Sequence, residues 1–213
     1  MAALRREEGN DSTLAAPTPA EVAADSTVHA PADAAAAADL PALGEVDPSA
    51  YALGSELARG GMGRIVAARD RRLRRPVAIK LLLAQGASAS RRFEREALIT
   101  ARLQHPSIVR VYEAGRWPDG APFYAMEKVR GRSLDKVIAD AGGLDGRLAL
   151  LPNLIAVAEA LAYAHSEGIV HRDLKPANVL VGDFGETVVI DWGLAKDIRD
   201  ATTVDESSGE SSP

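Results

Sequence analysis

The segment His171-Arg172-Asp173-Leu174-Lys175-Pro176-Ala177-Asn178 sets a carboxylate, an ammonium and an amide directly before the apolar run Val179-Leu180-Val181. Asp173 can accept a proton from a hydroxyl, and Asn178 can offer an oxygen to a metal ion. Lys175 can neutralise a phosphoryl group in transit. A polar loop after a helix is the plain alternative, but it does not explain so many polar groups ahead of an apolar strand. Asp191 follows a second apolar run, Val188-Val189-Ile190, and precedes Trp192-Gly193. A carboxylate at such a strand end is either a turn former or a second metal ligand.

Two further groups lie upstream. Lys80 ends the run Val77-Ala78-Ile79-Lys80. At an inner strand position its charge needs a partner to offset desolvation; otherwise it is a strand-end lysine reaching solvent. The following helix offers Glu94 and Glu96. Glu96 lies beside the apolar positions Phe93 and Ala97 and is the preferred partner, whereas Glu94 is expected in solvent. The cluster Ala58-Arg59-Gly60-Gly61-Met62-Gly63-Arg64-Ile65 joins two strands rather than opening a helix, which argues against a dinucleotide fingerprint. It lacks the Gly-Lys-Ser/Thr ending of a Walker A loop. A glycine hairpin of this kind can lie over a triphosphate, because residues without Cβ let backbone N–H groups approach. It can equally be an ordinary hairpin.

The elements that must hold these groups follow from periodicity. Tyr51–Leu57, Ile65–Arg69, Val77–Leu82, Val109–Glu113 and Phe123–Lys128 read as five strands. Arg91–Leu103 reads as a helix with Phe93, Ala97 and Ala101 on one face. After Gly131 the patterns turn helical. Ser133 is a candidate N-cap for a helix through Ala141. Leu151, Leu154, Ile155, Ala158, Leu161 and Ala162 form one apolar face of a longer helix, ended by Gly168. Val179–Val181 and Thr187–Ile190 are short strands. A strand-rich part therefore precedes a helix-rich part, with a crevice between them as the place for a ligand.

Composition bounds the rest. The chain has 213 residues, of which 46% are apolar and only 4% aromatic, so a core must rest on aliphatic side chains. A net charge of −5 gives no electrostatic case for nucleic acid or a membrane surface. The absence of cysteine excludes disulfides, thiolate metal sites and thiol nucleophiles. It suits a cytoplasmic setting, although a parent protein could be membrane-anchored further on. No signal peptide is read, and Leu148–Ala164, interrupted by Pro152, Asn153 and Glu159, suits a buried amphipathic helix better than a membrane span. Residues 1–47 are rich in Ala, Pro, Asp, Thr and Ser and are expected to be a disordered arm, with a transient helix at most at Ala34–Ala38.

Taken in order, these motifs resemble the eukaryotic-like (Hanks-type) protein Ser/Thr kinase family from about Tyr51 to Lys196. Met62 in Gly-Gly-Met-Gly and the Trp of Asp191-Trp192-Gly193 are similar to its bacterial members. The resemblance implies an α+β, two-lobed fold. A five-stranded antiparallel N-lobe would span 48–129, and an incomplete helical C-lobe 130–199. Residues 200–213 would be an acidic activation-segment remnant or tail. It implies MgATP as cosubstrate and protein Ser/Thr hydroxyls as acceptors, with a kinase dimer or partner kinase as a further partner and no nucleic acid. Ala58, Gly60, Gly61 and Gly63 would cover the phosphates. Ile65 and Ala78 would line the adenine site, with Met126 as gatekeeper and the backbones of Glu127 and Val129 bonding adenine. Lys80 would hold the α- and β-phosphates and pair with Glu96. Asp173 would be the base, Lys175 its neighbour at the phosphoryl group, and Asn178 and Asp191 the magnesium ligands. Lys175 resembles the Ser/Thr class rather than the Tyr class, and Arg172 resembles the arginine that pairs with a phosphorylated activation loop.

The sequence departs from the family in three places. Ala58 stands where the first glycine is usual. Trp192 replaces Phe, and its indole N–H then needs an acceptor. No Ala-Pro-Glu-like segment follows Gly193, so the domain is expected to be C-terminally truncated, with part of the Leu151–Glu167 helix uncovered. An inactive module that binds nucleotide or a partner is therefore the alternative to an active enzyme. Thr202, Thr203, Ser207 and Ser208 stand where an activation loop would accept phosphate.

Overall fold

A computed structural model describes residues 42–61 and 63–199. Met62, the arm through residue 41 and the four candidate phosphate acceptors beyond residue 199 lie outside the described residues.

Five antiparallel strands form the first sheet: β1 (Tyr51–Arg59), β2 (Gly63–Asp70), β3 (Arg75–Leu82), β4 (Val111–Arg116) and β5 (Pro122–Glu127). Their order is β1-β2-β3-β5-β4. Helix α1 (Ala87–Arg102) crosses between β3 and β4. Strand alternation divides the side chains cleanly. Val77, Ile79, Phe123 and Ala125 pack on one face with Tyr51 and Val66, while Ala78, Tyr124 and Met126 face α1 and the rest of the core.

Residues directly opposite in an antiparallel ladder share a face. The register pairs Ile65 with Lys80, Ala78 with Met126, and Lys80 with Tyr124. Ala58 pairs with Ile65. One face of the sheet therefore carries Ala58, Ile65, Ala78, Lys80, Tyr124 and Met126 together.

The second part contains α2 (Leu134–Asp140), α3 (Gly143–Leu148) and α4 (Leu151–Ser166). Among them run β6 (Arg132–Ser133), β7 (Ile169–Val170), β8 (Val179–Val181), β9 (Thr187–Val189) and β10 (Lys196–Asp197). Strands β6, β8 and β9 form one small sheet, and β7 and β10 another. The two parts are stitched by the chain after α1: Val109 N–H donates to Val189 O at 3.1 Å, and Val189 N–H to Ser107 O at 2.8 Å.

Several expectations are corrected. Val109 joins β9 rather than β4, which begins at Val111, because its backbone is spent on the bridge between the parts. Ser133 precedes α2, but its side chain does not cap the first turn. On α1 the buried face runs through Phe93, Glu96, Ala97 and Thr100, and Ala101 is exposed. Glu94 is buried, not solvated, because Arg116 on β4 reaches it with an ion pair. The arm does not extend to residue 47: Val46 N–H donates to Arg116 O at 2.9 Å and Arg116 N–H to Gly44 O at 3.0 Å. Gly115 allows this, since a Cβ there would stand 2.6 Å from Val46.

Helix α4 differs most. Asn153, Val157, Ala160 and Ala164 are its buried side, while Leu151, Leu154 and Ile155 of the expected face are about half exposed or more. The helix carries apolar residues all around, so periodicity could not choose the side. Asn153 chose it in part, through a buried hydrogen bond to Thr187 at 2.8 Å. Gly143–Ser166 has the length and apolar content of a membrane span by composition.

Candidate active site

Lys80 projects from the inner face of β3 and donates to Glu96 of α1, forming an ion pair. The Glu96 side chain is 2% exposed and that of Lys80 13%. Burying either charge alone would be costly, so each depends on the other. Lys80 Nζ also lies 3.5 Å from Asp191 Oδ1, which comes from a chain segment 111 residues away.

A residue missed in the sequence completes this cluster. Tyr124 of β5, opposite Lys80 in the ladder, donates to Glu96 Oε1 at 2.7 Å. Burial, then the Glu96 charge, pushes its phenol well above the ordinary tyrosine range, so it remains a donor. The signal was available in the alternation of β5, which places Tyr124 on the same face as Met126.

The loop after β7 supplies the second cluster. His171 is buried; its Nδ1 accepts from Asp173 N–H at 3.2 Å and its Nε2 lies 3.1 Å from Ile190 O. Those partners select the tautomer with hydrogen on Nε2. Asn178 Nδ2 donates to Asp173 O at 2.9 Å and to Asp173 Oδ2 at 3.1 Å. With its amide hydrogens directed at Asp173, the side-chain oxygen of Asn178 is the atom left for a cation. The backbone O of Asn178 accepts from Ile190 N–H at 2.9 Å. Both His171 and Asn178 thus grip Ile190, and Asp191 follows immediately. That grip brings two distant motifs to one place.

Asp191 and Arg172 have φ of 62° and 64° without being glycine. Such backbone is rare outside glycine, and it persists where surrounding contacts over-determine it. Arg172 Nε donates to Leu194 O at 2.6 Å, fastening the loop to the segment after Asp191.

Lys175 Nζ donates to Asp173 Oδ2 at 2.8 Å. That hydrogen bond, with further help from Asn178, holds the Asp173 carboxyl below the usual carboxylate range. The Asp173 side chain is partly exposed and that of Lys175 about half exposed. An ionised carboxylate with a neighbouring ammonium therefore faces solvent at the crevice.

The glycine hairpin separates into two kinds of position. A Cβ at Gly63 would stand 2.6 Å from Leu81 O, so β3 itself requires glycine there. A Cβ at Gly60 would meet nothing nearer than 4.0 Å, and one at Gly61 nothing at all. Nothing among the described residues demands glycine at Gly60 or Gly61. Further along the face, Met126 is buried beside Ala78 in the core, and Ile65 and Val129 pack partly buried against it. Glu127 N–H donates to Arg110 O at 2.8 Å, so only its carbonyl remains to meet a ligand.

Trp192 is 1% exposed and its ring centre lies 4.5 Å from that of His171. Its Nε1–H finds no acceptor among the described residues, against the need set out from the sequence. No cluster of three or more His, Asp or Glu suited to a metal occurs among the described residues. A cation here would need ligand or solvent oxygens besides Asn178 and Asp191. Magnesium bound with phosphates is coordinated in that way, so the residues fit it.

Comparison with known proteins identifies the family. The protein kinase domain family matches residues 51–212. The chain is 40% identical over 165 residues to the serine/threonine-protein kinase PknB of Mycobacterium leprae, covering 74% of this chain and 26% of that protein. It is 42% identical over 161 residues to the probable serine/threonine-protein kinase SCO3848 of Streptomyces coelicolor, covering 71% and 23%. It is 38% identical over 160 residues to the serine/threonine-protein kinase PknD of Protochlamydia amoebophila, covering 68% and 16%. The chain spans about a quarter or less of the length of these relatives.

Proposed function

The chain belongs to the protein kinase family, and from that premise we propose that its crevice binds MgATP and transfers the γ-phosphoryl group to Ser or Thr hydroxyls of proteins. The observation that carries the reading is the convergence of Lys80, Glu96 and Asp191 beside the loop that presents Asp173, Lys175 and Asn178.

The roles are those that the family resemblance implies, assigned to the side chains that the fold brings to the crevice. Ala58, Gly60, Gly61 and Gly63 of the hairpin would cover the phosphates; the Gly60 N–H already donates to Gly63 O at 2.8 Å, and Gly61 is the open position. Ile65, Ala78 and Met126 share the sheet face on which the adenine would lie, with Glu127 O and the Val129 backbone at its edge. Lys80, oriented by Glu96, holds the α- and β-phosphates. Asn178 and Asp191 would hold Mg2+, which supplies positive charge to the phosphate oxygens. Asp173 accepts the proton of the attacking hydroxyl. The new P–O bond forms at that oxygen as the bond to the β–γ bridging oxygen breaks, with Lys175 offsetting charge on the moving group. An ionised Asp173 suits this role, since Lys175 and Asn178 already favour its charged form.

Transfer of labelled phosphate from ATP to a mixed Ser/Thr substrate, compared between this chain and Asp173→Ala, tests the reading. Transfer is expected from the parent and not from the variant, while MgATP raises the melting temperature of both. Equal labelling by both would remove Asp173 from the reaction. MgATP binding without transfer by the parent would leave a nucleotide-binding module.

A further inference from the structure

Helix α1 meets the segment from Asp191 onward at two heights, Glu96 and Arg102. At Glu96 the link runs through Lys80 to Asp191. Beside it, a Cβ at Gly193 would stand 3.2 Å from Glu96 Oε2, so the glycine backbone lies directly against that carboxylate. At the last residue of the helix, Arg102 Nη1 donates to Asp197 Oδ2 at 2.6 Å. Glu96 to Arg102 and Asp191 to Asp197 are both steps of six residues. Helix and segment are thus braced at both ends of the same stretch.

The lower brace is built on a fixed point. Asp197 is 2% exposed and pairs with Ile169 in the β7–β10 ladder. Its Oδ1 accepts from Arg199 N–H at 3.0 Å, Ile198 N–H donates to Gly168 O at 2.8 Å, and Arg199 Nη2 donates to Ser166 O at 2.6 Å. The segment is therefore fastened to the end of α4. Arg102, at the helix C-terminus, also meets the negative end of the α1 dipole. Sliding α1 by one turn, about 5 Å, would break this pair and the Glu96 contact together.

We propose that Arg102 and Asp197 are positioning residues whose ion pair sets the height of α1 and so keeps Glu96 on Lys80. This rests on the MgATP reading of the crevice for its consequence, though not for its geometry. A pair that merely stabilised the fold would change the melting temperature and leave the Lys80 environment alone.

The test uses the full 213-residue chain. Acylation of Lys80 by an amine-directed ester is measured without nucleotide, by peptide mass spectrometry, as a ratio to the exposed Lys136 in the same molecules. MgATP affinity is measured in parallel. In Arg102→Gln the ratio should rise several-fold, because the Lys80 ammonium loses the carboxylate that shields it. MgATP binding should weaken about tenfold. Arg102→Lys should recover most of both, and Asp197→Asn, which keeps the shape, should reproduce the loss. An unchanged ratio in Arg102→Gln and Asp197→Asn overturns the clamp. A shifted ratio in a chain whose parent does not bind MgATP upholds the clamp and overturns the nucleotide reading.

Discussion

Tyr124 and Lys80 share one acceptor: the phenol donates to Glu96 Oε1 at 2.7 Å, the same oxygen that holds the Lys80 ammonium. The carboxylate is thereby satisfied from two strands of the sheet and cannot turn away without breaking both contacts, which would orphan Tyr124 and leave Lys80 with Asp191 alone. Tyr124→Phe keeps the ring against Phe93 but removes one charge-assisted hydrogen bond. It should cost about 1.5–3 kcal/mol in urea unfolding and weaken MgATP binding several-fold.

The two kinds of glycine on the hairpin should respond differently. Gly63→Ala presses a methyl onto Leu81 O and should destabilise the fold by about 1–3 kcal/mol. Gly61→Ala meets nothing and should leave the melting temperature unchanged, yet weaken MgATP binding if the loop covers phosphates. Equal MgATP affinity in Gly61→Ala and the parent would remove the loop from the site.

Trp192 buries an N–H without an acceptor among the described residues, a penalty of about 1–3 kcal/mol. Trp192→Phe removes that group and keeps an aromatic ring beside His171. Its stability should equal or exceed that of the parent, whereas Trp192→Ala should lose about 3–5 kcal/mol to the cavity. Urea midpoints compared at one pH decide this.

Asp70 is buried at the β2–β3 turn, where burial raises its carboxyl but the N–H groups of Leu73 and Arg72 and the Arg72 charge together outweigh it. Its folded value therefore lies below the ordinary 3.8. The stabilisation is present above that ordinary value and is lost as pH falls through the folded one. Urea midpoints of the parent and Asp70→Asn, followed from neutral pH down into strong acid, should differ by a constant amount at neutral pH. That gap should narrow only in the acid range.

The two sides of α4 offer a last contrast. Ile155 is 59% exposed and Val157 is 7% exposed. Ile155→Glu should change stability by no more than about 0.5 kcal/mol and reduce self-association in sedimentation. Val157→Ala should cost about 2 kcal/mol. The reverse order would return the buried face to the one expected from the sequence, Leu151, Leu154 and Ile155.

Much of the site was legible because its signals are local. Lys80 follows the apolar run Val77-Ala78-Ile79, where an inner lysine needs a partner, and the next helix offers Glu96 for that place. The apolar runs Val179–Val181 and Val188–Ile190 mark where the chain must enter and leave the core, so Asn178 and Asp191 at their ends fall together. The structure separates two triplets of similar spelling. Asp183-Phe184-Gly185 occupies an exposed turn with Phe184 97% exposed, whereas Asp191-Trp192-Gly193 follows a buried strand.

The sequence by itself thus determined the family, the five strands of the first sheet and the pair β8 and β9, and named Lys80, Glu96, Asp173, Asn178 and Asp191 as a candidate set, while the short strands β6, β7 and β10 went unread. Tertiary structure alone decided which carboxylate became buried beside Arg116, which side of α4 turned inward, that Tyr124 shares Glu96, and that Arg102 meets Asp197 across 95 positions of chain. Periodicity and capping act within a few residues. The partner of a charge, or the buried side of a uniformly apolar helix, depends on which distant surface arrives against it.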